Sequence, residues 1–440
     1  VIECKRNDIT PDSRLTLKAW AFFFVAKNYE RSNHVHIHAQ QPSQSGDLGT
    51  SPAVHVRETS APRKTPVQPD REGDVTFACH NPFRLEAGGE LQPVTIRYAM
   101  YGELNRDASN AVLVCHALSG SARVADWWPE ILGDSGLWNL DRTCVIGTNV
   151  IGSCYGSTGP SSIDPRTGNP SGPDFPVVTI RDMVRAQVCA LEHLGIQRLQ
   201  AVIGGSLGGM QAVQWCIDFP DRVELAIAIG TAPLSAMALA LNHIQRQAIH
   251  LDPAWHAGCY ASQPRTGLGI ARAIATCSYK CAELFDQRCG RSSNHNRSTG
   301  EWEDPFRSLE ERFDIAGYLD HQADKFNSRF DANSYLVLSK AMDTFDPAHV
   351  YASEVEAFGR IQCPVILVGI SSDWLFPAAS VRSWGARMAR AGVRCQYAEL
   401  ISGHGHDAFL TETQQLAGLL REYLPAAHAR QISRPVEADS

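Results

Sequence analysis

The chain has no long apolar run. None of its hydrophobic stretches reaches the ~20 residues that a membrane-spanning helix needs, so no membrane partner is expected. Residues 19–26 are apolar but short, and they follow charged residues. No small-residue cleavage site comes after them; Lys27-Asn28-Tyr29-Glu30-Arg31 does, unlike a signal peptide. The chain begins with Val, so residue 1 need not be the biological start. Basic excess is missing too. Lys and Arg number 40 against 47 Asp and Glu, the net charge is −7, and no polybasic stripe stands out. That argues against nucleic acid as a partner. There is no paired cysteine framework: the 13 cysteines are odd in number and scattered. Cys115, Cys144, Cys154 and Cys216 sit in apolar or motif segments, where a free thiol packs as a small hydrophobe. This favours a reducing, cytoplasmic setting. Metal-ligand spacing is also wanting. Cys277 and Cys281 are four apart on an expected helix, but no second Cys/His pair accompanies them. His34, His36 and His38 alternate as on one face of a strand, again without a supporting ligand set. No metal is therefore expected.

What is present is enough for a large core: 440 residues, 44% apolar and 20% charged. Residues 1–74 read as an extension. Positions 40–73 are rich in Ser, Pro, Gln and Thr without periodicity, a composition that buries too little to offset its ordering entropy. The folded unit is expected from about Asp74. Early strands are predicted at Val75-Thr76-Phe77 and at 94–100, and buried strands at 111–115, 144–149, 199–203, 225–229, 364–369 and 396–401. A helix is predicted up to Leu194, and Ala212 to Ile217 reads as the start of another. Strands alternating with helices imply a mostly parallel sheet with helices on both faces, the α/β class. Residues 75–234 and 347–425 form that core. Between them, 235–346 breaks the alternation and reads as a helical lid, with helices at 244–249, 269–275 and 334–342 and a polar loop at 288–303. Residues 426–440 read as a polar tail.

Gly204-Gly205-Ser206-Leu207-Gly208 lies between an expected strand and helix, and matches G-x-S-x-G. That pattern makes a sharp turn that lifts a serine above the sheet. A Gly-rich turn with an ordinary serine is the alternative. Asp373 follows the 364–369 strand, and His404 and His406 follow the 396–401 strand. Serine, aspartate and histidine, each at a strand end and in that order, fit a nucleophile, an orienting acid and a general base. Taken singly, Asp373 reads as a turn residue and either histidine as a polar loop residue. Spacing alone does not choose between His404 and His406. An oxyanion hole needs two N–H donors. Leu207, directly after the serine, is one candidate. Leu118 in His116-Ala117-Leu118-Ser119-Gly120 is the other.

From about Phe77 to Leu424 the chain resembles the homoserine O-acetyltransferase family, α/β-hydrolase-fold enzymes of methionine biosynthesis. The resemblance rests on several stretches in order: Tyr101-Gly102-Glu103-Leu104-Asn105, Cys115 to Gly120, Gly156-Ser157-Thr158-Gly159-Pro160-Ser161-Ser162, and Gly204 to Ala212. It continues through Arg329-Phe330-Asp331-Ala332-Asn333-Ser334-Tyr335, Ser372-Asp373-Trp374-Leu375-Phe376-Pro377 and Gly405-His406-Asp407-Ala408-Phe409-Leu410. It implies that Ser206 takes acetyl from acetyl-CoA and passes it to homoserine in a ping-pong reaction. It selects His406 over His404. It also implies that Arg272 grips the acceptor's α-carboxylate, that Asp407 holds its α-ammonium, and that the enzyme is a homodimer. Leu375 stands where related succinyltransferases carry arginine, which favours acetyl over succinyl because a buried carboxylate needs a partner. The chain departs from the family pattern at Gly152-Ser153, Arg272-Ala273, Ser278-Tyr279-Lys280 (usually Thr-Tyr-Arg) and in the Phe313–Tyr318 run. Most of these lie in the expected lid, so they bear on the acceptor more than on the triad. Three other readings stand beside acetyl transfer: transfer of succinyl or onto serine, hydrolysis with the same triad, and an inactive scaffold.

Overall fold

The computed structural model describes residues 67–132, 136–296 and 298–424. His34, His36 and His38, the apolar stretch 19–26, residues 1–66 of the expected extension and the tail 426–440 lie outside the described residues.

Eight strands make the main sheet: β1 (Arg71–Phe77), β2 (Val94–Tyr101), β3 (Ala111–Cys115), β4 (Cys144–Thr148), β5 (Ala201–Gly205), β6 (Ala226–Ile229), β7 (Val365–Ile370) and β8 (Cys395–Leu400). Their spatial order is β1-β2-β4-β3-β5-β6-β7-β8. β2 runs antiparallel to both its neighbours, β1 and β4, and every other pairing in the sheet is parallel. Every residue of β3 through β7 is buried. Helices cover both faces, so these strands read as continuous apolar runs rather than alternating ones. Leu113 and Cys115 point into one core, with Val184, Met210, Trp215 and Trp384. Val112 and Val114 point into the other, with Trp128, Leu416 and Leu420.

β1 begins at Arg71, inside the stretch expected to be extension, and Asp70 already accepts the Gly102 N–H at 2.7 Å. Arg71, Glu72 and Asp74 are exposed, or nearly so, on an edge strand, and this polar stretch hid the strand from hydrophobic patterning.

The core helices that matter for the site are α1 (Ile180–His193) and α2 (Leu207–Asp218). Thr179 and Asp182 close a capping box at the start of α1. α2 starts at Leu207, five residues before the expected Ala212; Gly208 and Gly209, poor helix formers in isolation, hide that first turn in the sequence. Between β6 and β7 lie α3 (Ala236–His250), α4 (Arg265–Tyr279), α5 (Asp314–Asn327) and α6 (Ala332–Asp343), with α4 packed against both α3 and α5. Ser235 caps α3 and Asp331 caps α6. The 288–303 segment has more structure than its composition suggests. Asn294 is buried and donates to Glu303 at 3.0 Å, and His295 bridges to Trp302. After β7 comes α7 (Ala378–Arg390), and after β8 comes α8 (Thr413–Tyr423). Among the described residues no helix is long and apolar enough to cross a membrane.

Candidate active site

The strand order reverses around β3: the chain goes from β3 out to β4, then back across to β5. In open α/β sheets such a switch point leaves a crevice at the carboxyl ends of the strands. The loops after β3 and β5 meet there, because Cys115 and Gly204 are register partners. Ser206 stands in the turn from β5 to α2 at φ 57° and ψ −123°, a conformation side chains rarely adopt. Its N–H donates to the Ile229 carbonyl at 2.9 Å, and its carbonyl accepts the Gly209 and Met210 N–H groups at 2.9 and 3.1 Å. These bonds and the packing hold the strain in place. The packing admits no side chains at the flanking glycines. A Cβ on Gly204 would lie 2.3 Å from the Gly208 backbone, and one on Gly208 would lie 2.0 Å from the Cys115 carbonyl oxygen.

Asp373 stands three residues beyond β7, and His406 six beyond β8. His406 Nδ1 donates to Asp373 Oδ2 at 2.6 Å, and both residues are buried. The other Asp373 oxygen accepts the N–H groups of Leu375 and Phe376 at 2.9 and 2.8 Å, which fixes the carboxylate. Phe376 stacks on the His406 ring at 5.2 Å, and Phe409 and Tyr279 flank it at 5.6 and 5.7 Å. His406 Nε2 is buried and has no hydrogen-bond partner, so it is available to a proton carried by a nearby group. Burial opposes charge on this ring, but the Asp373 carboxylate, and Asp407 beyond it, outweigh burial and raise its pKa above the ordinary 6.5. His404 turns elsewhere: its Nδ1 lies 2.8 Å from Glu412. Geometry thus separates two histidines that spacing could not.

Leu207 opens α2, where the first N–H groups of a helix lack intrahelical partners. Leu118 is half-buried in the turn after β3, which the Gly120 N–H closes onto the Ala117 carbonyl at 2.9 Å. His116 shapes that turn, a role the sequence reading did not give it. Its Nδ1 donates to the Ala117 carbonyl at 2.7 Å, and its Nε2 accepts the Val150 N–H at 3.2 Å. Burial pushes its pKa down to about 4, so the ring stays neutral. Beneath it, Gln211 donates to the Leu207 carbonyl at 3.2 Å and accepts from Gln187 at 2.8 Å, while Trp215 donates to Gln187 at 2.8 Å. These buried amides tie α1 to the floor of the elbow. Scattered Gln, His and Trp residues carry no sequence pattern that would have marked them.

The helical insertion brings a second group of side chains to the same face. The Arg272 guanidinium lies over the Phe326 ring at 5.0 Å and the Tyr279 ring at 5.7 Å, with Nε buried and unpartnered. Tyr279 is pushed up to about 12, chiefly by burial; Arg272 pulls it down and Asp407 pushes it up, so both charges act on its ring. Asp407 Oδ2 accepts from Lys280 Nζ at 3.1 Å. Leu375 is buried beside Asp373. Cys281 donates its S–H to the Gly403 carbonyl at 2.6 Å and Cys277 is exposed. Serine, histidine, aspartate and helix-start amides at the carboxyl ends of one mostly parallel sheet can perform nucleophilic acyl chemistry. The arginine and aspartate beside them suit a zwitterion.

A family profile described as the alpha/beta hydrolase fold matches residues 110–413. The homoserine O-acetyltransferase of Geobacter metallireducens is 43% identical to this chain over 365 residues, covering 80% of this chain and 96% of that protein. The solved homoserine O-acetyltransferase of Bacillus anthracis superposes with a TM-score of 0.73 at 25% identity, covering 84% of this chain and 99% of that one. A solved esterase superposes with a TM-score of 0.72 at 26% identity, covering 82% of this chain and all of that one, 100%.

Proposed function

The chain belongs to the homoserine O-acetyltransferase family, acyltransferases on the α/β-hydrolase fold, and from that premise we propose how it works. It transfers acetyl from acetyl-CoA to the side-chain hydroxyl of L-homoserine, a step of methionine biosynthesis. His406 takes the Ser206 proton through Nε2 as Oγ attacks the thioester carbonyl. Asp373 holds the imidazolium that results. The Leu118 and Leu207 N–H groups receive the oxyanion. His406 then protonates the CoA sulfur as it leaves, and acetyl-Ser206 remains. Homoserine enters with its carboxylate on Arg272 and its ammonium on Asp407. His406 takes the proton of the acceptor's hydroxyl as that oxygen attacks the acetyl carbonyl, then returns it to Ser206 Oγ, which leaves as the acetyl ester of homoserine forms.

The observation that carries this reading is the 2.6 Å His406–Asp373 bond at the same end of the sheet as a serine held at φ 57°. No metal or bound cofactor enters the scheme; acetyl-CoA is a substrate. Apolar Leu375, with its N–H on the triad aspartate, suits an acetyl group over a succinyl group. The test is CoA release with acetyl-CoA or succinyl-CoA against homoserine, serine or no acceptor. Release that needs both acetyl-CoA and homoserine is expected. Preference for succinyl-CoA or serine would overturn the assignment of Leu375 or of the acceptor site.

Hydrolysis is the second reading, favoured by the esterase likeness. Under it, CoA release would proceed without acceptor. The helical insertion opposes it as a lid that excludes water from acetyl-Ser206. Exposed Met237, Ile244, Leu251 and Ile270, on or beside α3 and α4, support a homodimer through the insertion. Sedimentation at working concentration tests that. Twelve free thiols among the described residues support a cytoplasmic location.

A further inference from the structure

Lys280 ends α4 in extended conformation, at φ −121° and ψ 157°. Its segment is fastened to both loops that carry the histidine and the aspartate. The Lys280 carbonyl accepts the Trp374 indole N–H at 3.0 Å, next to Asp373. The Cys281 thiol donates to Gly403 at 2.6 Å, three residues before His406. Gly405 packs so closely here that a Cβ would lie 2.7 Å from Lys280 Cα. These backbone and thiol contacts hold the segment without help from the lysine side chain. The ammonium is therefore free for another task, and it lies 3.1 Å from Asp407 Oδ2 with only 11% of the side chain exposed.

The charged groups around this carboxylate are Lys280, Arg272, which acts with it on Tyr279, and His406 with Asp373, since Asp407 acts on the His406 ring. Tyr279 also faces it but is neutral at ordinary pH. Arg272, Lys280 and Asp407 together carry one positive charge in excess. An amino-acid acceptor is a zwitterion and adds none. Were its ammonium to join Lys280 on the carboxylate, two like charges would crowd one anion. If Lys280 withdraws, the site becomes neutral: Arg272 with the acceptor's carboxylate, Asp407 with its ammonium. Lysine suits such an exchange, being a point charge on a flexible stem that regains rotamer freedom in water.

We propose that Lys280 is a positioning residue for the acceptor step: it is the resident counter-ion of Asp407, and the α-ammonium of the incoming amino acid displaces it. This deepens the acceptor assignment above and rests on it. Between turnovers Lys280 keeps the carboxylate aimed and partly neutralised beside His406; during the second half-reaction it yields its place.

The test compares the wild type with Lys280→Met and Lys280→Arg. Competition predicts a ranked effect on the homoserine KM. The Met variant should fall below the wild type by about fivefold, the worth of a modest ion pair. The Arg variant should rise above it, because a planar guanidinium grips a carboxylate at two points and is harder to displace. A purely structural lysine would raise KM on removal and be rescued by arginine, the reverse ranking, which overturns the proposal. The second measurement is the pH profile of acyl-enzyme formation from acetyl-CoA alone, read as burst CoA. Removing Lys280 leaves Asp407 unpaired, so the acid limb should move to higher pH in the Met variant and stay in place in the Arg variant. An unmoved limb in the Met variant overturns the counter-ion role. This arm needs no acceptor. If homoserine fails to support turnover even in the wild type, the acceptor assignment fails and takes the displacement step with it, while the limb still judges the ion pair.

Discussion

A Cβ on Gly208 would lie 2.0 Å from the carbonyl oxygen of Cys115. The start of α2, directly after Ser206, and the end of β3, directly before the turn that carries Leu118, are thus in backbone contact. Gly208→Ala must push them apart, and backbone cannot move as a flexible side chain can. The expected outcome is a loss of about 1–3 kcal/mol of stability from overpacking, with kcat falling further than stability explains because Leu118 and Leu207 separate. Thermal denaturation and steady-state CoA release together check this. Wild-type kcat in a folded Gly208→Ala variant would show that the contact does not set the oxyanion site.

Ser206→Ala removes the proposed nucleophile and should keep the fold. The serine side chain makes no capping bond to α2, so its loss leaves no buried partner stranded. Turnover should drop by about 10⁴-fold or more, the scale on which triad members act together. The melting temperature should stay within a few degrees. No acetylated peptide should appear by mass spectrometry after acetyl-CoA is added. Acyl transfer retained in this variant would remove Ser206 from the mechanism.

Most of the sheet could be read from the sequence. β3 through β7 are buried on both faces, and a doubly buried strand is a continuous apolar run with no ambiguity of face. β1 was harder because its solvent-facing half is polar and what fixes it is pairing to β2. The candidates Ser206 and Asp373 could be read from the strand ends they follow, Ser206 also from its G-x-S-x-G match. His406 needed the resemblance, since His404 stands two residues away and only the three-dimensional partners, Asp373 against Glu412, part them. His116 and Gln211 were invisible as site residues. Their role is to bond backbone groups distant in sequence, and such bonds leave no trace in spacing. Lys280 was noted only as a departure from a pattern; its ion pair with Asp407 crosses 127 positions.

Arg272→Ala tests the proposed acceptor site and should leave the first half-reaction intact. Its guanidinium is held by the Phe326 and Tyr279 rings rather than by a carboxylate, which leaves its hydrogen-bonding groups for a ligand. The homoserine KM should rise by about 10- to 100-fold, as for a charge-assisted bidentate contact. Burst CoA release from acetyl-CoA should remain. An unchanged KM would take Arg272 out of the site.

The two buried histidines predict opposite responses to acid. His406 must be neutral to accept the serine proton, and the Asp373 carboxylate raises its pKa above 6.5. The acid limb of kcat/KM for acetyl-CoA should therefore have an apparent pKa above that value, and Asp373→Asn should lower it. A raised folded pKa also means that His406 adds stability below the unfolded value of about 6.5, which is lost as pH rises through the folded value. His116 works the other way. Its folded pKa is held down at about 4, so its contribution is complete above the unfolded value and is lost as pH falls toward 4. The span between the two values is worth about 3 kcal/mol at most. In His116→Gln, whose amide can neither bind nor release a proton, denaturant melts should lose less stability between pH 6.5 and 4 than the wild type does. Equal acid sensitivity in the two proteins would mean that His116 takes up its proton in the folded state, and that the turn carrying Leu118 is looser than its bonds to Ala117 and Val150 imply.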